Sequence, residues 1–284
     1  MENLTVAAVC MKCIPGAVNQ NLDRVRELAR EASAGGADIA CFPECTLTGY
    51  TLRSMENFQG KWNVETLARR LVVLARETNL ILIVGFVEPR PGQKPYITQV
   101  AAGPGGLLGC YRKTHLSPAE APVYQSGRSL EMFRVKQGVF GVQLCYEAHF
   151  PELSTHMALR GADLIFMPHA SPRGTAEEKL QSWLRHLPAR AFDNGLFVIA
   201  CNQVGKTDHG LCFPGVALVV GPDGRILTTY TDDHREGILF ASLEADFLKR
   251  VRGHRMKYFL PRRRPNLYSI AVQHCACPNS SPAP

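Results

Sequence analysis

The sequence predicts an α/β protein. Short apolar runs alternate with segments of helical period along most of its 284 residues. The longest run, Leu80–Val87, suits a buried strand and is far too short to span a bilayer. No Pro/Gly/Ser-rich linker interrupts the alternation, so residues 1–272 read as one domain and 273–284 as a tail with nothing to bury.

The elements run in order. Leu4–Val9 reads as a strand, and Asn21–Ala34 as a helix with Leu22, Val25, Leu28 and Ala29 on one face. Ile39–Phe42 is a buried strand, Val64–Thr78 a helix and Leu80–Val87 a strand. Tyr96–Ala101 and Leu107–Tyr111 flank Gly-Pro-Gly-Gly as a hairpin. Val139–Leu144 is a strand, Glu152–Arg160 a helix and Leu164–Met167 a strand. Glu177–Phe192 is mostly helical despite Pro188, and Phe197–Cys201 is a strand. Val216–Val220 and Arg225–Tyr230 form a hairpin around Gly-Pro-Asp-Gly, with strand Ile238–Ser242 and helix Asp246–Arg252 after it. There is also an internal echo. Gly36-Ala37-Asp38-Ile39 leads to Pro43 at the spacing that takes Gly161-Ala162-Asp163-Leu164 to Pro168, suggesting two related helix–strand units.

Composition excludes several classes. The net charge of +7 is scattered, and its densest stretch, Lys249 to Arg264, lacks the long basic run or interleaved aromatics of a nucleic-acid site. The N-terminus has no positive region ahead of an apolar core, so no secretory leader is read. Ten cysteines without one imply a reducing cytoplasm and free thiols. Cys10 and Cys13 have zinc-knuckle spacing, and Cys275 with Cys277 would be the second pair. The first pair closes an apolar strand and the second lies in the tail, so a metal-binding or regulatory scaffold is a weaker reading.

Chemistry is suggested by the residues at the end of each buried strand. Ile39–Phe42 runs into Pro43-Glu44, Leu108–Tyr111 into Arg112-Lys113, and Val139–Leu144 into Cys145-Tyr146-Glu147. Leu164–Met167 runs into Pro168-His169, and Phe197–Ala200 into Cys201-Asn202-Gln203. In α/β sheets the crevice beyond the carboxyl ends of the strands is where ligands bind. A single strand ending in polar residues is an ordinary solvated loop. Five of them, bearing a carboxylate, a thiol and an ammonium, make a site. Cys145 is then the candidate nucleophile, whereas Cys41, Cys110, Cys201 and Cys212 read as small buried hydrophobes. No Gly-x-Ser-x-Gly elbow is present, and neither His149 nor His169 has a cysteine-protease context. A buried carboxylate can act as base instead, and Glu44 fits.

These residues resemble the nitrilase (carbon–nitrogen hydrolase) superfamily, in ordered blocks. Phe42-Pro43-Glu44 with Thr48-Gly49-Tyr50, Tyr111 to Leu116, and Leu144 to Glu147 with Phe150-Pro151-Glu152 are similar to its three catalytic blocks. Ala189 to Asn194, Gly221 to Gly224 and Arg263 to Tyr268 support them. Gly215-Val216-Ala217 departs from the Gly-x-Ser of many members. The resemblance implies a four-layer αββα sandwich that assembles as a homodimer or larger oligomer. It implies a Glu44–Lys113–Cys145 triad, a second glutamate at Glu120, and the Tyr146 backbone N–H facing the oxyanion. Tyr50, Glu147, His149 and His169 are the substrate-binding candidates. No metal or organic cofactor is implied.

Cys145-Tyr146-Glu147-Ala148 is more similar to amidase branches than to true nitrilases, which favours an aliphatic amide or N-carbamoyl substrate over a nitrile. The loops Tyr50–Phe58, His169–Thr175 and Gln203–Phe213 are expected to set selectivity. A catalytically silent scaffold and transfer of the acyl group to another nucleophile are the remaining alternatives.

Overall fold

The computed structural model describes residues 1–52, 62–207 and 210–268. In chain order it contains β1 (Leu4–Cys10), α1 (Val18–Ala34), β2 (Ile39–Cys41), α2 (Val64–Thr78), β3 (Ile81–Arg90), β4 (Gln93–Gly103) and β5 (Gly106–Arg112). Next come β6 (Met132–Val135), β7 (Gly138–Val142), α3 (Pro151–Leu159), β8 (Leu164–His169), α4 (Ala176–Leu184), α5 (Leu187–Asn194) and β9 (Phe197–Asn202). The chain continues through β10 (Gly205–Lys206), β11 (Cys212–Phe213), β12 (Gly215–Val220), β13 (Ile226–Asp232), β14 (Gly237–Leu243) and α6 (Ala245–Gly253).

Two six-stranded sheets carry the fold, ordered β14-β1-β2-β3-β4-β5 and β13-β12-β9-β8-β7-β6. Each has a parallel centre, β1-β2-β3 in one and β7-β8-β9 in the other, extended by antiparallel strands. Parallel neighbours need crossovers, and the helices supply them. Strand alternation then sorts the side chains into layers. On β1, Val6, Ala8 and Cys10 join the core between the sheets, while Ala7 and Val9 face α1 and α2. On the second sheet Phe166 and Ile199 face the first sheet, and Ile165 and Val198 face α3, α4 and α5. The result is an αββα sandwich.

The element order matches the reading from sequence, with three differences. The helix expected over Glu177–Phe192 is broken at Arg185-His186, and Pro188 lies in the first turn of α5. There a missing N–H costs nothing, so proline starts a helix rather than interrupting one. Strand β6 and the β10–β11 ribbon were not anticipated, being only a few residues long. The tail at 273–284 lies outside the described residues, as do Cys275 and Cys277. Cys10 and Cys13 are buried. Among the described residues no cluster of three metal-ligating side chains occurs, and no helix is long and apolar enough to cross a membrane.

Candidate active site

Glu44 lies just past β2, and four contacts fix the backbone of residues 42–44. Gln203 Nε2 donates to the Glu44 carbonyl at 2.7 Å, and the Glu44 N–H donates to the His169 carbonyl at 3.3 Å. Thr46 Oγ1 donates to the Pro43 carbonyl and Gln99 Nε2 to that of Phe42. Gly85 on β3 leaves room for this turn. A Cβ there would lie 2.7 Å from the Cys45 nitrogen and 2.5 Å from Gln99 Oε1.

Lys113 leaves the end of β5 and is fully buried, as is Glu44. Its Nζ donates to Glu44 Oε1 and to Glu120 Oε1, both at 2.8 Å. The second oxygens are also occupied: Ala170 N–H donates to Glu44 Oε2 at 3.1 Å and Ser117 N–H to Glu120 Oε2 at 2.8 Å. Tyr50 OH donates to Glu120 Oε1 at 3.3 Å. One ammonium between two carboxylates leaves a net negative charge in a dry place. Burial, helped by the Glu120 charge and opposed by Lys113, raises the Glu44 pKa to about 7. Burial works against the Lys113 charge, but Glu44 and Glu120 outweigh it and hold the ammonium protonated.

Cys145 begins a 3₁₀ turn, Cys145–His149, just beyond β7. Its φ of 46° lies in the left-handed region, where a residue with a Cβ is strained and a site is often found. Burial, then the Glu44 charge, push its thiol pKa up to about 12, with Lys113 pulling the other way. The resting thiol is therefore protonated and needs a base.

Cys145, Glu120 and Tyr50 line a cavity of about 300 Å³, together with Tyr146, His149 and His169. The structure thus brings together all the predicted site residues except one. Glu147, expected to bind substrate, is corrected: its carboxylate is buried behind the turn. It accepts from Tyr111 OH, from the N–H and hydroxyl of Thr114, and from the N–H groups of His115 and Leu144. That set ties the segment bearing Lys113 to the turn bearing Cys145 and leaves nothing for a ligand.

His169 Nδ1 lies 2.7 Å from the Met167 carbonyl, which can only accept, so Nδ1 carries the proton. Its ring lies 4.3 Å from that of Trp183, and burial keeps it neutral. His149 stacks on His186 with ring centroids 4.5 Å apart. Trp183, His186 and Lys179 on and after α4 also line the cavity and were missed from sequence. Their only signal was the position of α4 directly after the His169 strand.

The carbon-nitrogen hydrolase family model matches residues 5–252. The chain is 29% identical over 278 residues to N-carbamoylputrescine amidase of Arabidopsis thaliana, covering 90% of this chain and 91% of that one. It is 30% identical over 286 residues to deaminated glutathione amidase of Homo sapiens, covering 93% and 84%. The crystal structure of an amidase from Nesterenkonia sp. superposes with a TM-score of 0.79 at 26% identity, covering 93% of this chain and 95% of that one. A variant of that amidase, from strain AN1, shows Michael addition of acrylamide at its active-site cysteine. It superposes with a TM-score of 0.78 at 25% identity, covering 93% and 98%. An αββα sandwich with a thiol, an ammonium and a carboxylate just past its strand ends, and a second carboxylate on the loop after β5, holds the site of a cysteine-dependent hydrolase of non-peptide C–N bonds. The chain belongs to the carbon–nitrogen hydrolase family of the nitrilase superfamily.

Proposed function

We propose that the chain hydrolyses a small aliphatic amide or N-carbamoyl compound through a thioester on Cys145. The observation that carries this is Lys113, held at 2.8 Å by both Glu44 and Glu120 and acting electrostatically on the Cys145 thiol. Glu44 takes the thiol proton as sulfur attacks the carbonyl carbon. The developing oxyanion faces the Lys113 ammonium and the Tyr146 N–H, each such donor contributing about 3–4 kcal/mol. Collapse expels ammonia or amine, which receives its proton from Glu44. Water then attacks the thioester, giving a proton to Glu44, and the departing sulfur is reprotonated as the acid leaves. Glu120 fixes Lys113 and faces the cavity where that water would enter.

Amidase-named relatives support the amide or carbamoyl reading. A nitrile substrate, the alternative, would pass through a thioimidate on the same sulfur. Unpaired thiols at all eight described cysteines support a reducing cytoplasm. Leu159 on α3 and Phe192 on α5 are exposed apolar side chains on the helices we assign to a homodimer interface.

The test is ammonia release by purified protein across primary amides, N-carbamoyl amines and nitriles, with intact-mass detection of a Cys145 acyl adduct. Turnover of amides or carbamoyl compounds with that adduct is expected. An adduct on Cys201 or Cys212, or turnover of nitriles alone, would overturn the reading.

A further inference from the structure

The cavity that Cys145 and Glu120 line also carries cations that have no acidic partner among the described residues. Lys179, on α4, is half-buried there. The capping box of that helix fixes its first turn: Glu178 N–H donates to Thr175 Oγ1, and Thr175 N–H to Glu178 Oε2. From the second turn the Lys179 Nζ donates to two neutral oxygens, Ser171 Oγ at 2.8 Å and the Pro172 carbonyl at 3.3 Å. An ammonium has three donors, so one is left for the cavity. Arg173, an exposed residue on the loop after β8, also lines it, and its φ of 81° is strained for a side-chain-bearing residue.

Neither cation forms an ion pair among the described residues, and Arg173 acts on Lys179 as a like charge. Burial, then Arg173, lower the Lys179 pKa. His149 and His186 add ring N–H donors to the same wall and stay neutral, His186 lowered to about 4 by burial and then by His149. Among the described lining residues Glu120 is the only carboxylate, and it is spent on Lys113, Tyr50 and Ser117. Lys179, half-buried with no counter-charge, is costly unless an anion arrives.

Resting on the hydrolase reading above, we propose that the substrate carries a carboxylate, seated on Lys179 and Arg173 a few bonds from the carbonyl that Cys145 attacks. Two kinds of compound present that chemistry: the monoamide of a short dicarboxylic acid, and an N-carbamoyl amino acid. A chain ending in an ammonium would meet two like charges and no counter-charge.

The experiment compares kcat/KM of the purified enzyme on matched compounds. These are succinamate and glutaramate, N-carbamoyl-β-alanine, the neutral methyl esters of all three, and 4-aminobutanamide as the cation. The anions should be preferred over their esters by about tenfold or more, mostly through KM, as for a charge-assisted hydrogen bond. Whichever anion is preferred identifies the arm. Lys179→Met should collapse the anion-to-ester ratio toward one, Lys179→Arg should keep it, and Lys179→Glu should turn it in favour of the cation. Because each ratio is taken on one protein sample, partial misfolding cancels. Turnover of the neutral esters by wild type without preference for either anion would overturn this inference and leave the parent reading intact. No turnover of any amide or carbamoyl compound would remove both.

Discussion

In the first half of the chain, α1 gives way to Gly36 at φ 80°, and the Ala37 N–H returns to the Ala32 carbonyl at 3.1 Å. Asp38 then pairs with Thr5 twice, N–H to carbonyl at 2.8 Å and carboxylate to N–H at 2.7 Å, and its carbonyl accepts from Ile81. In the second half, α3 gives way to Gly161 at φ 89°, and the Ala162 N–H returns to the Met157 carbonyl at 3.0 Å. Asp163 pairs with Val139 through the same two bonds, at 2.8 and 3.1 Å, and its carbonyl accepts from Phe197. The echo in the sequence is therefore a repeated hydrogen-bond pattern that starts the middle parallel strand of each sheet. The repeat runs to Pro43 and Pro168, and the next residues meet: Glu44 N–H donates to the His169 carbonyl. Beyond that point the halves differ. Glu44 aims a carboxylate at Lys113, while His169 turns its Nδ1 back to its own strand and its ring onto Trp183. The scaffold fixes where a side chain is delivered, and the residue delivered there decides what it does.

The largest test of that divergence is catalytic. Cys145→Ala should abolish turnover with the fold kept, since the change is small. Glu44→Gln should lower kcat about a hundred- to ten-thousand-fold, the usual contribution of a general base. His169→Asn should cost about tenfold or less in kcat/KM, because its ring lines the cavity without reaching the proton transfer. Steady-state kinetics of the three proteins decide it. A loss at His169 as deep as at Glu44 would show that both halves supply chemistry.

A smaller effect separates the two glutamates. The base must be ionised to take the thiol proton, so activity should rise with pH through about 7, the raised Glu44 pKa. Glu120 contributes to that rise by disfavouring a second negative charge. Removing its charge in Glu120→Gln should let Glu44 ionise earlier and move the acid limb to lower pH. Turnover will suffer in this variant, so the rate of Cys145 alkylation by acrylamide, tracked by intact mass against pH, is the better measurement. A limb displaced to higher pH would mean that Glu120 acts chiefly by holding Lys113 in place.

Most of the scaffold was legible because buried strands and amphipathic helices announce themselves locally. The parallel strands leave apolar runs with Pro43-Glu44, Cys145 and Pro168-His169 at their ends; Cys145 and His169 line the cavity, and Glu44 meets Lys113 behind it. Glu147 misled because adjacency to Cys145 says nothing about direction. A 3₁₀ turn points successive side chains different ways, and this one points inward to Tyr111 and Thr114. Lys179, Trp183 and His186 were illegible for the opposite reason. They lie on and after a helix, one turn apart or less, where period alone reads them as part of an ordinary amphipathic face.

Two glycines sharpen the comparison at the level of packing. Gly85 on β3 and Gly141 on β7 both sit where a Cβ would collide. At Gly85 the obstacles include backbone, the Cys45 nitrogen at 2.7 Å and the Pro43 carbonyl at 3.1 Å. At Gly141 the nearest atom belongs to the flexible Met157 side chain. Gly85→Ala should thus destabilise by about 1–3 kcal/mol and lower kcat by displacing Glu44. Gly141→Ala should cost about 1 kcal/mol or less, as Met157 turns aside, with kcat nearly kept. Equal kinetic losses would show that the Glu44 turn is no more tightly held than its counterpart.

The smallest expected difference concerns the paired aspartates themselves. Asp38 and Asp163 make the same bonds to the neighbouring strand, but only Asp163 has a second partner. Its Oδ1 accepts from Arg252 Nη1 at 2.9 Å, and Arg252 also donates to the Gly195 carbonyl and to that of Ala162. The chain's amino terminus lies 3.9 Å from Oδ2. Replacing each aspartate by asparagine keeps one oxygen for the strand N–H and removes the charge. At Asp38 this weakens one bond to a neutral donor, costing about 0.5–1 kcal/mol. At Asp163 it leaves a mostly buried guanidinium beside a neutral amide, so about 1–3 kcal/mol is expected. Urea unfolding midpoints of the two variants measure the gap, and kcat should hold in both because neither group touches the cavity. If the midpoints fall equally, the arginine contributes nothing net, and the strand-starting bonds common to both halves account for the whole effect.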